Sequence, residues 1–374
     1  MSNLPFVSSP WLKKLDLYII KKVLGAYFLM IVLLVSVAIV FDISEKIDTL
    51  ADATMKEIIF DYYLNFAWYF SNLLSPLITF IAVIFITSQL ANNSEIIATF
   101  ASGISFHRVM VPYWISAAVI AVMTYILSSF VIPPANEVRL DFLAKYKNAY
   151  KRETNATNVQ LEVEKGVILY IGTYEKSLKR AYRMTLEKFD GKTLVSRTTA
   201  QFADYDTLGH FELRKWVTRD FVGMQETMTS GERKDTTLNV DTEDFFVYRE
   251  MQQQMTNAQL ERYIEKQRSR GVGSIQEFEI EYEKRHSQPF AAFILTTIGF
   301  ALASKKVKGG MGMNLGIGLA LSFSYILFDT ISATFAISGG LSPRIAVWIP
   351  NFLFLLIAMN IRSKRTISFR NSIH

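Results

Sequence analysis

The sequence predicts an α-helical membrane protein with six transmembrane helices and one all-β, jelly-roll-like domain held outside the membrane. Three observations predict it. Three long apolar stretches lie before residue 134 and three more after residue 288; the block between them is polar and rich in β-forming residues; and basic residues gather on one side of the apolar stretches. A hydrocarbon core about 30 Å thick takes about 20 apolar helical residues to cross. Val23 to Phe41 and Val109 to Ile132 carry no charge, and Tyr62 to Leu90, Phe290 to Ser304, Met311 to Phe328 and Ile345 to Ile361 complete the set. Phe290 to Ser304 is the shortest, although it continues a preceding helical pattern.

Orientation follows from charge, because short loops rich in Lys and Arg stay on the cytoplasmic side. Lys13, Lys14, Lys21 and Lys22 precede the first span, and Arg108 borders the loop between the second and third. Lys305, Lys306 and Lys308 fill the loop between the fourth and fifth, and Arg362, Lys364, Arg365 and Arg370 follow the sixth. The other side has Asp42, Glu45, Lys46, Asp48 and Asp52 after the first span and only Arg344 between the fifth and sixth. Both termini are therefore expected in the cytoplasm and the central block outside. The first span lacks a small-residue cleavage site and is too long for a signal peptide, so it is expected to be retained. The net charge of +6 raises the question of a nucleic-acid partner, but residues 134–287 are balanced in charge and the whole excess lies in the membrane part. Topology accounts for it, and no nucleic acid is expected. With no Cys, disulfides and thiol chemistry are excluded.

The expected divisions are 1–133, with three spans and a cytoplasmic helix at about 92–103; 134–255, the β domain; 256–287, a helical connector; and 288–374, three spans and a tail. In the central block Val159 to Val163, Val167 to Tyr174, Ala181 to Phe189, Leu194 to Tyr205, Phe211 to Gly223 and Thr236 to Val240 read as strands. Lys165-Gly166, Asp190-Gly191-Lys192 and Leu208-Gly209-His210 between them are turn chemistry. Such spacing predicts a sandwich or jelly roll. Thr256 to Gln259 and Ser274 to Glu277 fit the capping box, and Gly271 is placed to end the first of these helices. The second is expected to run into the fourth span, with Pro289 allowing a bend.

No phosphate-binding loop, HExxH, GxSxG or His/Cys cluster occurs, so no catalytic residue, metal or cofactor is expected in this chain. His107, His210, His286 and His374 are scattered and do not converge. Polar residues at the membrane carry more. Asp329 lies within an apolar helix, where a carboxylate costs about 2.5–3.5 kcal/mol at the bilayer centre and faces either a bundle interior or, by snorkelling, the interface. Asp42 and Lys46, four apart, suit a helical ion pair, on a solvated helix end or at a ligand site. Gly312 and Gly316 form a GxxxG pair extended by Gly318, permitting close helix approach for packing or for gate motion. In the loop between spans two and three, Asn92-Asn93-Ser94 can cap a short helix, Glu95 complements its dipole and Gly103 ends it. Its stripe of Ile96, Ile97 and Phe100 suits either a partner's groove or the bilayer surface.

Asn93-Ser94-Glu95 through Ala101-Ser102-Gly103-Ile104-Ser105, Phe130 to Asn136 after the third span, and Leu15-Asp16-Leu17-Tyr18-Ile19 resemble the LptF/LptG permease family. Glu283 to Phe290 and Pro350-Asn351-Phe352 continue the pattern, which covers about residues 12–365. The resemblance implies a permease subunit of an ABC transporter that extracts lipopolysaccharide from the bacterial inner membrane. Implied partners are an LptB-like ATPase dimer that binds ATP and Mg, a second LptF/LptG-type permease, a bitopic LptC-like protein and a periplasmic LptA-like bridge. It further implies a periplasmic β-jellyroll domain that hands the lipid on. Ser94, Glu95, Ile97, Phe100 and Gly103 would belong to the coupling helix, Glu95 meeting a basic group of the ATPase. Asp42, Lys46, Gly312, Gly316 and Asp329 would lie along a lateral gate or lipid path formed by the first and fifth spans. The Phe328-Asp329-Thr330 step and the Phe41-Asp42 region look more like LptG than LptF. One departure stands out: the LptG-type pattern tends to put a basic residue where Asp42 stands, so either Lys46 takes a lipid phosphate or the phosphate is held elsewhere. The competing class is a membrane-anchored scaffold or sensor whose β domain binds a protein.

Overall fold

Helix α1 (Lys14–Glu45) is apolar on nearly every face, so neighbouring helices rather than local pattern decide what it buries. Asp16, Ile19, Val23 and Tyr27, at steps of three and four, form the stripe that meets α3 (Leu64–Asn92) and α5 (Phe106–Ile126). The computed structural model describes residues 13–146, 155–206, 209–246, 250–269, 275–305 and 310–373. Leu208, Gly271, Ser274, Lys306 and Lys308, and the side chains of Arg365 and Arg370, lie outside the described residues. The chain divides into two units, Met1–Phe142 with Glu279–His374, and Leu143–Phe278.

In the helical unit, α1 is followed by the short α2 (Ile47–Ala51) and by a π-helical stretch, Glu57–Tyr63, that leads into α3. Helix α4 (Glu95–Ala101) separates α3 from α5. The helix that carries the third apolar stretch runs on past the two prolines. After a π-helical stretch at Leu127–Val131, the chain continues as α6 (Ile132–Tyr146). Pro133 and Pro134 have no N–H to bond back to the preceding turn, and the π-helical stretch lies just where those bonds would fall. Helix α8 (Gln276–Ala303) packs on α3 through Ala291, Ile294, Leu295 and Ile298 against Phe80 and Ile84. Helix α9 (Gly310–Ile337) packs on α3 and on α10 (Pro343–Ile373). Asn351 ties three of these helices together. Its Nδ2 donates to the Ser287 carbonyl at 3.0 Å, and its Oδ1 accepts from the Tyr325 hydroxyl at 3.0 Å.

Among the described residues five helices are long and apolar enough to cross a membrane: Lys14–Glu45, Glu57–Asn92, Phe106–Tyr146, Gly310–Ile337 and Pro343–Lys364. Helix α8 is not one of them. Its apolar part, Phe290–Ala303, is shorter than the about 20 residues a full crossing takes.

The second unit holds β1 (Asn155–Glu164), β2 (Val167–Glu175), β3 (Arg180–Asp190), β4 (Thr193–Tyr205), β5 (His210–Val222) and β6 (Gln225–Thr237), with α7 (Asn257–Ser269) after them. They form one antiparallel sheet in the order β1-β2-β3-β4-β5-β6. A jelly roll would place strands of two Greek keys side by side. Here every hydrogen-bonded neighbour is consecutive, so the described sheet is an up-and-down meander. One face carries Leu169, Ile171, Met184, Ala203 and Leu213, covered by Leu238, Val240, Phe245 and Phe246. That covering corrects the expected sixth strand: Leu238 and Val240 are core residues beyond the sheet, and the sixth strand is β6. Strand β6 is nearly all polar and exposed, so no apolar alternation announces it. Its charges suit an edge that must not pair with other chains. Helix α7 begins as its capping box requires, with the Thr256 N–H donating to Gln259 Oε1 at 2.8 Å.

Candidate functional site

Helix α4 begins by a backbone reversal at Ser94, whose φ of 63° lies in the left-handed region. No Ser94 side-chain cap forms, contrary to the expected Ser cap. Instead Asn93 Nδ2 lies 3.3 Å from Glu95 Oε1, and the helix closes at Gly103, whose φ is +82° and whose N–H reaches the Phe100 carbonyl at 3.0 Å. The apolar stripe is divided. Ile96 and Phe100 are buried with Ile19, Val23, Leu90, Phe106 and Val109, and Phe100 stacks on Phe106 with centroids 6.2 Å apart. That corrects Phe100 as a contact for a partner, since this chain already covers it. Ile97 is 42% exposed, and Ser94 and Gly103 are exposed beside it. A surface of Ser94, Ile97 and Gly103 with the Glu95 carboxylate at its edge therefore remains open.

Glu95 also has a partner that spacing does not suggest: the Tyr18 hydroxyl of α1 donates to its Oε2 at 3.1 Å. Two residues earlier Asp16, 5% exposed, accepts both terminal nitrogens of Arg108, at 2.9 and 2.6 Å, together with the Lys13 N–H at 2.8 Å. This planar two-bond geometry is the strong form of a carboxylate pair. Arg108 sits in the first turn of α5, which Ser105 caps.

At the other end of α1, Asp42 and Lys46 form the ion pair that their spacing suits, and the pair is largely buried rather than solvated. Asp42 is 9% exposed and Lys46 14%. Lys46 donates to Asp42 and, at 2.6 Å, to the Tyr62 hydroxyl, while the Tyr63 hydroxyl donates to Asp42 at 3.3 Å. Removing either charge would strand the other, at a cost of about 3–5 kcal/mol for a buried pair. Two of the three donors of the Lys46 ammonium are thus engaged within the chain.

Asp329 also has a cation: Lys284 of α8 donates to its Oδ2 at 2.8 Å, and both side chains are partly buried. The partner of Asp329 lies 45 residues away in sequence, on another helix. Of the α9 glycines, Gly318 makes the close approach. A Cβ there would stand 2.4 Å from Ile84 Cδ1, whereas Gly312 and Gly316 have nothing within 4 Å. Among the described residues the GxxxG pair makes no close approach within this chain. Gly299 of α8 was not singled out from the sequence, yet it meets Phe80 at 3.1 Å from its Cβ position. One glycine in an apolar run carries no local mark of what will face it.

A family model described as lipopolysaccharide export system permease LptF/LptG matches residues 17–364. No curated protein matches the chain at a significant level.

Proposed function

Because the chain belongs to the LptF/LptG family of lipopolysaccharide export permeases, a family of transport subunits rather than enzymes, we propose that it extracts lipopolysaccharide from the bacterial inner membrane and passes it to a periplasmic bridge. The observation that carries this reading is the family match across both units, from residue 17 to residue 364. The divided face of α4 suits it: Ile96 and Phe100 anchor the helix to its own chain, leaving Glu95 and Ile97 for an LptB-like ATPase that binds ATP and Mg. Drawing acyl chains out of a bilayer costs about 0.8 kcal/mol per CH₂ exposed, which calls for an external energy source.

In this reading α8 completes a sixth crossing, both termini are cytoplasmic, and the β unit is periplasmic, where it meets LptC-like and LptA-like components. The exposed Gly312–Gly316 face of α9, together with α1, faces a second permease across a lateral gate. The Phe328-Asp329-Thr330 and Phe41-Asp42 segments favour the LptG member of the pair.

The test is co-purification with an LptB-like ATPase and a second permease, followed by photocrosslinking to lipopolysaccharide with and without ATP. Crosslinks should move from the helices to the β unit when ATP is added. Glu95→Arg should lower ATP-dependent release by about tenfold or more, as expected when a charge-assisted contact becomes a repulsion. Release unchanged from a well-assembled Glu95→Arg complex would remove the coupling role of α4.

A further inference from the structure

The motif Leu15 to Ile19 is left without a task by the reading above, and the structure joins it to the α4–α5 corner at three points. Tyr18 reaches Glu95 at 3.1 Å, Asp16 holds Arg108 by two bonds at 2.9 and 2.6 Å, and Ile19 and Val23 pack in the cluster that buries Ile96 and Phe100. Beyond Tyr27, α1 buries only Val35 and Asp42 before it ends at Glu45. One end of α1 is thus fastened to the element that would meet the ATPase; beyond Tyr27 one face stays packed through Met30, Ile31, Val35 and Asp42, and among the described residues most of the rest is exposed. A continuous helix of 32 residues at about 1.5 Å per residue reaches about 48 Å from that fastened end.

We propose that Asp16 and Tyr18 are positioning residues that tie α1 to the coupling helix, Asp16 through Arg108 and Tyr18 through Glu95, so that a displacement of α4 moves α1 as a rod. The proposal rests on the coupling role given to α4. The Glu95 carboxylate is shared: Tyr18 takes Oε2 and Asn93 lies at Oε1, and a carboxylate has about four acceptor positions, enough for a basic group of the ATPase as well. Tyr18 thereby also sets the direction in which Glu95 faces its partner. Asp16 acts on the same corner from the far side, through the first turn of α5. If the two ties were cut, α4 could rock on its apolar underside without carrying α1 with it.

The experiment uses the full complex with ATPase and second permease, reconstituted with lipopolysaccharide, and reads three quantities: assembly, ATP hydrolysis, and lipid released per ATP hydrolysed. Tyr18→Phe removes one partly exposed hydroxyl and should assemble and hydrolyse ATP normally, with release per ATP lower by about fivefold. Asp16→Asn should lower the same ratio by about tenfold, and the exchange Asp16→Arg with Arg108→Asp should recover most of it. A purely structural role would reduce assembly and hydrolysis together and leave the ratio alone. If Asp16→Asn fails to assemble, Tyr18→Phe decides. Ratios within about twofold of the parent for Tyr18→Phe, with Glu95→Arg inactive, would overturn the tie and leave the coupling helix standing. Unchanged release in Glu95→Arg as well would overturn both.

Discussion

Gly318, Gly312 and Gly316 lie on one helix, yet they face different surroundings. The Cβ that Gly318→Ala would add falls 2.4 Å from Cδ1 of the fully buried Ile84, so Ile84 must shift within a filled core. Overpacking of this kind costs about 1–3 kcal/mol. Gly318→Ala should therefore lower the thermal midpoint of the detergent-solubilised chain, and adding Ile84→Val should return part of the loss. Gly312→Ala and Gly316→Ala should leave that midpoint unchanged or raise it, because open space lies around both positions and Ala favours a helix over Gly by about 1 kcal/mol. If they act at all, the effect should be seen on pairing with a second permease. The sequence marks all three glycines alike; only the neighbour across the contact distinguishes them. Asp42 and Asp329 teach the same lesson with charge: Asp42 takes Lys46 from the next turn and the Tyr63 hydroxyl from a packed element, and Asp329 takes Lys284 from another helix.

Strand β6 is held by its ladder to β5 and by side chains on the polar face. Arg233 donates to Glu212 of β5, Arg214 lies 2.9 Å from the same carboxylate, and Arg180 and Arg214 flank Asp204 at 2.5 and 3.6 Å. The hydrogen bond from Arg233, aided by the positive charge of Arg214, holds the Glu212 carboxyl below its ordinary value of 4.5. A carboxylate whose pKa is lower folded than unfolded binds more protons when unfolded, so its contribution is present above the unfolded value and fades as pH falls through the folded one. Below about pH 4.5 the β5–β6 hairpin should loosen first. Hydrogen exchange of peptides covering β6, corrected for the intrinsic effect of pH, should show that loosening, and Glu212→Gln should flatten it. Strands β2 to β5 were legible because apolar residues alternate along them. Strand β6 was not, because a solvated edge needs no apolar face and leaves only its hydrogen-bond ladder as a signature.

At the scale of the whole chain, the unit Leu143–Phe278 has its own apolar core, with Phe245 and Phe246 packed edge to face on Tyr174, Phe211 tilted against Phe245, and all four buried. A segment with its own core can fold alone. Residues 143–278 expressed by themselves should give a soluble, β-rich protein that unfolds cooperatively, as followed by circular dichroism. A fragment that stays unfolded would mean that the helical unit is needed to complete it. The helical unit offers no such independence in water, because α1 and α9 expose apolar side chains such as Phe28, Leu29, Val40, Phe323 and Leu327 along their length. That surface is suited to lipid or to other helices.

What the sequence by itself determined is the class: long apolar stretches, basic residues on one side of them, and a balanced β-rich block between, because length, charge and alternation are local properties that survive without knowledge of contacts. It also marked α4 as a helix bounded by Ser94 and Gly103. The tertiary structure decided which side of α4 is free, which glycine is a close contact, and how the membrane charges pair. Asp16 with Arg108, Lys284 with Asp329, and Asp42 and Lys46 with Tyr62 and Tyr63 are set by where helices cross. A helix apolar on every face has no periodicity to declare its crossing partners, so those pairings arise only when the helices are packed.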